Sequence, residues 1–201
     1  MLKRDLEDLR QKALALGASM AEVVPAEWAE VDERVRLKCS VPMCGYYGKN
    51  PYCPPHGPDP EFMRRALGRY KWAVLYAIEV LPVADFSDRT VQQKTGREWA
   101  RKNMEIAGRL ETLAFGNGYY LAAGFSQSSC KAVLCGPEER CQVLEGKRCA
   151  HALKARPSLE AAGVNVFRLV TRAGWDIYPI YRSVEPAIVP RALSIGIVFV
   201  C

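Results

Sequence analysis

The chain has 201 residues, 49% apolar and 25% charged, with eight cysteines and a formal net charge of +6. This balance excludes a disordered or fibrous chain, and a chain of this length buries enough surface to fold without disulfides. The basic residues are spread along the sequence with no aromatic-flanked basic run, which argues against nucleic acid as a partner.

At the N-terminus Leu2, Leu6, Leu9, Ala13 and Leu16 recur at helical spacing, predicting a helix with one apolar stripe that Gly17 can end. The segment is charged throughout and lacks the apolar core and cleavage site of a secretory signal, so a cytoplasmic protein is expected. In a reducing compartment eight cysteines read as ligands or redox groups rather than as disulfides.

A short strand near AEVV follows, and the alternation in VDERVRLK, residues 31–38, predicts a half-buried strand running into Cys39. The next stretch, CSVPMCGYYGKNPYCPPHG, is full of helix and strand breakers and must be an ordered loop. Pro60 opens a helix through Arg69, and KWAVLYAIEVL from Lys71 reads as a buried strand.

The longest helix is expected over residues 92–115, where Trp99, Asn103, Ile106, Leu110, Leu113 and Ala114 keep helical spacing; Gly116 and Gly118 stop it. YYLAAG, residues 119–124, is a strand candidate leading to a second cysteine segment, CKAVLCGPEERCQVLEGKRCAH. After it come a short helix over residues 158–162, a strand VNVFRLV from Val164, and a last strand over residues 194–200. Alternating strands and helices predict one α/β domain over residues 1–201, a sandwich with a mixed sheet and two cysteine-rich, cluster-binding loops. The longest apolar runs fall far short of the roughly 20 residues that cross a bilayer, so no membrane span is expected.

Cys130, Cys135, Cys141 and Cys149 place four thiols on one continuous segment, with gaps of four, five and seven residues. Four thiolates satisfy a cubane iron–sulfur cluster and equally a structural zinc. Zinc modules bring their ligands in close Cys pairs, and the wider gaps here favour the larger object, a [4Fe–4S] cluster, with zinc as the alternative. The spacing does not match the bacterial ferredoxin run.

Cys39, Cys44 and Cys53 supply three thiolates, one short of a full set, for a metal or a second cluster. The fourth position is open among Cys201, His56, a residue of the other loop and an external molecule. A fully ligated cluster carries electrons, whereas an open position can bind substrate. Cys201, on an apolar strand, reads as a buried inert thiol, and His56 and His151 read as surface or hydrogen-bonding residues. Lys38, Lys49, Lys131, Arg140, Lys147 and Arg148 flank the cysteines and suit the neutralisation of thiolate charge. Lys49 and Asn50 lie mid-loop, within reach of a substrate or in a solvated turn. Tyr46, Tyr47 and Tyr52 can shield a cluster from water.

KCSVPMCGYYGKNPYCPP, followed by SCKAVLCGPEERCQVLEGKRCAHALKARPSLEAAGVNVF, resembles a cysteine-rich family of predicted metal-binding proteins of unknown function, found mainly in anaerobic bacteria and archaea. The resemblance spans nearly the whole chain, and its most specific part is Cys-Gly-Tyr-x-Gly-x-Asn-x-x-Cys-Pro-Pro. It implies metal binding, iron–sulfur in kind, with no established reaction. Cys39, Cys44, Cys53, Cys130, Cys135, Cys141 and Cys149 match the family's cysteine positions; Cys201 does not, which favours a three-thiolate first site. Arg156, Pro157 and Ser158 also match, and Ser158 suits a helix cap.

No P-loop, dinucleotide-binding glycine pattern, H-E-x-x-H or G-x-S-x-G motif is present, nor the Cys-x3-Cys-x2-Cys of radical enzymes. Three functions remain: a cytosolic iron–sulfur protein passing electrons to a redox partner protein, an enzyme with substrate at the three-cysteine site, and a zinc-held interaction module. Whether the chain is an enzyme, such as an oxidoreductase, is left open.

Overall fold

The computed structural model describes residues 1–88, 94–136, 139–180 and 185–201. Helix α1 (Leu2–Ala15) buries Leu6, Leu9 and Ala13, the stripe expected from their spacing. Gly17, at φ +100°, turns the chain out: its N–H donates to Leu14 O (2.9 Å) and that of Ala18 to Ala13 O (3.1 Å). These two bonds satisfy helix-end carbonyls, and the left-handed residue between them favours glycine.

The platform is a four-stranded sheet of β1 (Met20–Pro25), β2 (Trp72–Glu79), β3 (Ala123–Phe125) and β4 (Leu193–Phe199), in the order β1-β2-β4-β3. All three pairings are antiparallel, which corrects the expected mixed sheet. Alternating elements suggest parallel crossovers only when one helix joins neighbouring strands. Here Pro25 pairs with Trp72, so the long excursion through the first cysteine segment leaves and re-enters at the same end of the sheet.

Strand β2 alternates its side chains between two apolar clusters. Ala73, Leu75 and Ala77 join Ile195, Ile197, Phe199, Val164 and Leu169 on one face. Val74, Tyr76 and Ile78 join α1 and α5 (Thr95–Gly116) on the other. The part of the long-helix expectation before Lys94, including Gln92, lies outside the described residues. Within α5, Ile106, Leu110 and Ala114 are buried and Leu113 is 39% exposed.

Two expected strands are helices. Residues 33–37 form α2 (Glu33–Leu37), because Asp32 caps it by accepting from Arg34 N (2.9 Å). The last five residues of VNVFRLV open α7 (Val166–Arg172), capped by Asn165 accepting from Arg168 N (3.1 Å), with Val166, Leu169 and Val170 buried at helical spacing. Short apolar runs fit either period, and a polar cap in front of each run decides for helix. Val31 and Val164, ahead of the two helices, bridge one another.

In place of the expected helix over residues 158–162, Ser158 makes an isolated bridge to Ser126 and residues 159–163 form turns; Ser158 Oγ accepts from Ala161 N (3.1 Å). Strand β3 begins four residues later than expected, since Tyr119 N turns back to Ala114 O (3.0 Å). Helix α3 (Pro60–Leu67) starts as expected behind the Asp59 cap, and a short α4 (Ala84–Ser87) follows β2. Among the described residues no helix is long and apolar enough to cross a membrane.

Tyr76 is fully buried and donates from Oη to Asn103 O (2.8 Å), and burial pushes its phenol well above the usual value. Its ring fills the space over Gly196, where a Cβ would run into Tyr76 Oη and Cζ. Gly196→Ala is therefore expected to lower stability by about 1–3 kcal/mol through overpacking. Urea unfolding checks this; a midpoint equal to that of the parent would show that the ring can shift.

Candidate metal centre

The first cysteine segment follows α2 directly and closes on itself. Cys39 N donates to Arg36 O (2.9 Å), Cys44 N to Cys39 O (2.9 Å), Tyr47 N to Cys44 O (3.0 Å) and Gly57 N to Cys53 O (3.0 Å). Gly48, at φ +70°, lets its N–H reach Pro54 O (2.7 Å). Arg36 clasps the far end, donating to the carbonyls of Gly57 and Pro58. The loop is thus ordered by its own backbone, as the density of breakers implies.

Asn50 overturns the expectation of a substrate-reaching or solvated side chain, being 0% exposed. Its Oδ1 accepts from Tyr52 N (2.9 Å) and Cys53 N (3.0 Å), and its Nδ2 donates to Ser129 Oγ (3.0 Å). Ser129 immediately precedes Cys130, so one amide bolts the first loop to the second. Tyr52 packs against the cluster formed by Ala100, Met104, Cys130, Val133 and Ala155, along with Cys149.

The second segment opens as a helical turn, α6 (Cys130–Leu134), rather than as a plain loop. Cys130, Cys135, Cys141 and Cys149 all line one small cavity of ≈ 40 Å³, floored by Tyr52, Leu134 and Ala155. Burial pushes the Cys130 thiol up to about 12, and the neighbouring Cys53, Cys135, Cys141 and Cys149 thiols add to the rise. Cys135 is raised by burial as well, opposed by Lys131. His151 N donates to Cys149 Sγ (3.3 Å), so it serves the site through its backbone. Among the described residues no three His, Cys, Asp or Glu are drawn together as an ion-holding set; the thiols share a cavity instead.

Of the six flanking cations expected to offset thiolate charge, only Lys131 is inside: it is 7% exposed, and its Nζ donates to Gly136 O (2.8 Å). Lys38, Lys49, Arg140, Lys147 and Arg148 are exposed. A buried ammonium with a neutral partner is costly unless an anion is near. The cysteines on the same cavity would supply that anion on being deprotonated by a bound metal, so the donor set and its charge fit a thiolate-ligated metal.

Cys39, Cys44 and Cys53 also lie near one another. The Cys39 thiol is raised by burial, then by Cys44 and Cys53. Cys39 and Cys44 open on a separate pocket of ≈ 600 Å³, with Gln127, Glu160, Asn165 and Tyr178 in its walls. Protein encloses Glu160 enough to raise its carboxyl, although solvent in the pocket still reaches the side chain. Cys53 adds to the rise of both the Cys39 and the Cys130 thiols. Gly45 has open space around it, and His56 is exposed. Cys201 packs with the α1 cluster, and its carbonyl accepts from Trp72 N (2.8 Å); its thiol is raised by burial with no other cysteine contributing.

Arg156 holds the exit of the second segment. It forms a two-pronged pair with Glu111 of α5 (3.0 and 2.7 Å), and Glu111 also accepts from Gly124 N of β3 (2.6 Å). The sequence marks Arg156 only through the resemblance, since nothing local reveals its partner.

The fold and site thus define an α/β protein with a cysteine-lined centre built from two distant segments. The chain belongs to the family described as predicted metal-binding protein (DUF2284), which matches residues 22–190. No curated protein and no solved structure matches it.

Asn50→Ala removes an acceptor from two backbone N–H groups and a donor from Ser129. It should cost about 1–3 kcal/mol and expose Cys53 and Cys130 to thiol reagents. Equal labelling rates in parent and variant would refute the bolt.

Proposed function

We propose that this chain is an iron–sulfur redox protein, in which Cys130, Cys135, Cys141 and Cys149 hold one cluster of the [4Fe–4S] type and electron transfer to a partner protein is the function. The observation that carries this reading is the convergence of four thiols and the buried Lys131 on one cavity. When bound, such a cluster takes up or gives back one electron. The chain's own residues do the rest. Lys131 offsets thiolate charge, His151 N–H bonds to a ligand sulfur, and Tyr52, Met104 and Ala155 keep water from the cavity and so tune its potential. All eight cysteines are free thiols, which suits a reducing compartment such as the cytoplasm.

A second reading concerns Cys39, Cys44 and Cys53. The ≈ 600 Å³ pocket against Cys39 and Cys44 is large enough for a small ligand and favours a metal site with an open position for substrate. A zinc-held interaction module is the third.

The test is purification without oxygen from iron-replete cells, followed by iron, sulfide and zinc analysis. Iron and sulfide in equal amounts, with visible absorption bleached by dithionite, are expected. Cys130→Ser should abolish that absorption, whereas Cys44→Ser and Cys201→Ser should retain it. A colourless, folded protein with stoichiometric zinc would overturn the proposal.

A further inference from the structure

The four-cysteine cavity is closed on one side by a wall one side chain thick. Tyr52 and Ala155 line the cavity and also line an open groove of ≈ 570 Å³ on the outer surface. Phe115, Tyr120 and Leu153 border this groove and are 57%, 71% and 88% exposed. Phe115 and Tyr120 meet edge to face at 5.4 Å, forming one aromatic ridge. Contiguous exposed side chains of this kind mark contact surfaces.

Beyond Leu153 the surface turns basic. Lys12, Arg109 and Lys154 border an adjoining depression that shares Thr112 and Leu153 with the groove. Of the acidic groups there, Glu105 is paired with Lys154 (3.4 Å) and Glu111 with Arg156 (2.7 Å). The exposed Lys12 and Arg109 therefore leave this face with an excess of positive charge.

We propose that this face docks a small acidic electron-carrier protein, which exchanges one electron across Tyr52 with a cluster held by Cys130, Cys135, Cys141 and Cys149. The inference rests on the iron–sulfur reading above. In the exchange the reduced carrier loses one electron and the cluster gains it; no bond forms or breaks and no proton crosses the wall. The apolar ridge supplies contact area close to the cavity, and the cations select an acidic partner. Redox encounters use small interfaces and rely on charge to steer association.

The test uses the full chain purified without oxygen, with plant-type ferredoxin and flavodoxin as acidic probes. Electron exchange is followed by rapid mixing, and binding of the oxidised carriers is measured separately. At least one carrier should bind and react at a rate that falls as salt rises. Arg109→Glu and Leu153→Asp should each weaken binding and slow exchange about tenfold, while dithionite reduces both variants at the parent rate.

Variants that bind and react like the parent overturn the proposal, as does a parent chain that binds neither carrier. So does a parent dimer that Leu153→Asp converts to monomer, which would assign the face to a second copy. Competition by free flavin mononucleotide that both variants abolish would assign the groove to a small molecule and overturn it too. Salt-sensitive binding lost in both variants of an iron-free chain would keep the docking face and refute the cluster. An iron-loaded chain with unresponsive variants would do the reverse.

Discussion

Asn50 reaches across 79 residues to Ser129, and the architecture of the cysteine centre depends on that bond. An amide side chain has an acceptor and donors at one end, so it can close a turn and hold a distant group at once. Here the acceptor shapes the turn that carries Tyr52 and Cys53, and the donor holds the residue before Cys130. Asn50 is fully buried, so leaving its amide unpaired would cost the desolvation of the group, and its bond to Ser129 forms away from competing water. Tyr52 is carried onto Cys130 and Cys149 as a consequence, and that placement makes the thin wall between cavity and groove.

The sheet and long helix supply the rigid support. Tyr76 lies between β4 and α5, fixed by Asn103 and admitted by the bare Cα of Gly196. Glu111, on the same helix, gathers Arg156 and the backbone of β3, so both sides of the second cysteine segment are tied to one element. Without such ties, a segment rich in charge would spend conformational entropy that its few apolar contacts do not recover.

The two groups of thiols differ in their surroundings, and chemistry follows from that. The second group faces a small cavity backed by Met104, Val133 and a buried lysine, with Cys130 buried and Cys135, Cys141 and Cys149 partly exposed. The first group opens through Cys39 and Cys44 onto a pocket with Glu160, Gln127 and Tyr178, which suits access by another molecule. Cys53 adds to the rise of one thiol in each group. Such an arrangement sets a more shielded group of thiols beside a more accessible one.

The local signals in the sequence determined a good deal. Spacing placed α1, α3, β2, β4 and most of α5, and the cysteine pattern singled out the two segments that the structure brings together, because periodicity and residue type are properties of neighbouring residues. The same signals misread residues 31–38 and 164–170, where short apolar runs fit two periods and the caps Asp32 and Asn165 chose the helix. Only the tertiary structure decided that the sheet is wholly antiparallel, that the two cysteine segments meet, and that Asn50 joins them. It likewise selected Lys131 alone among six flanking cations for burial. Those outcomes depend on contacts between residues far apart in the chain, such as Asn50 with Ser129 and Arg156 with Glu111, and no local pattern encodes which distant partner a polar side chain will find.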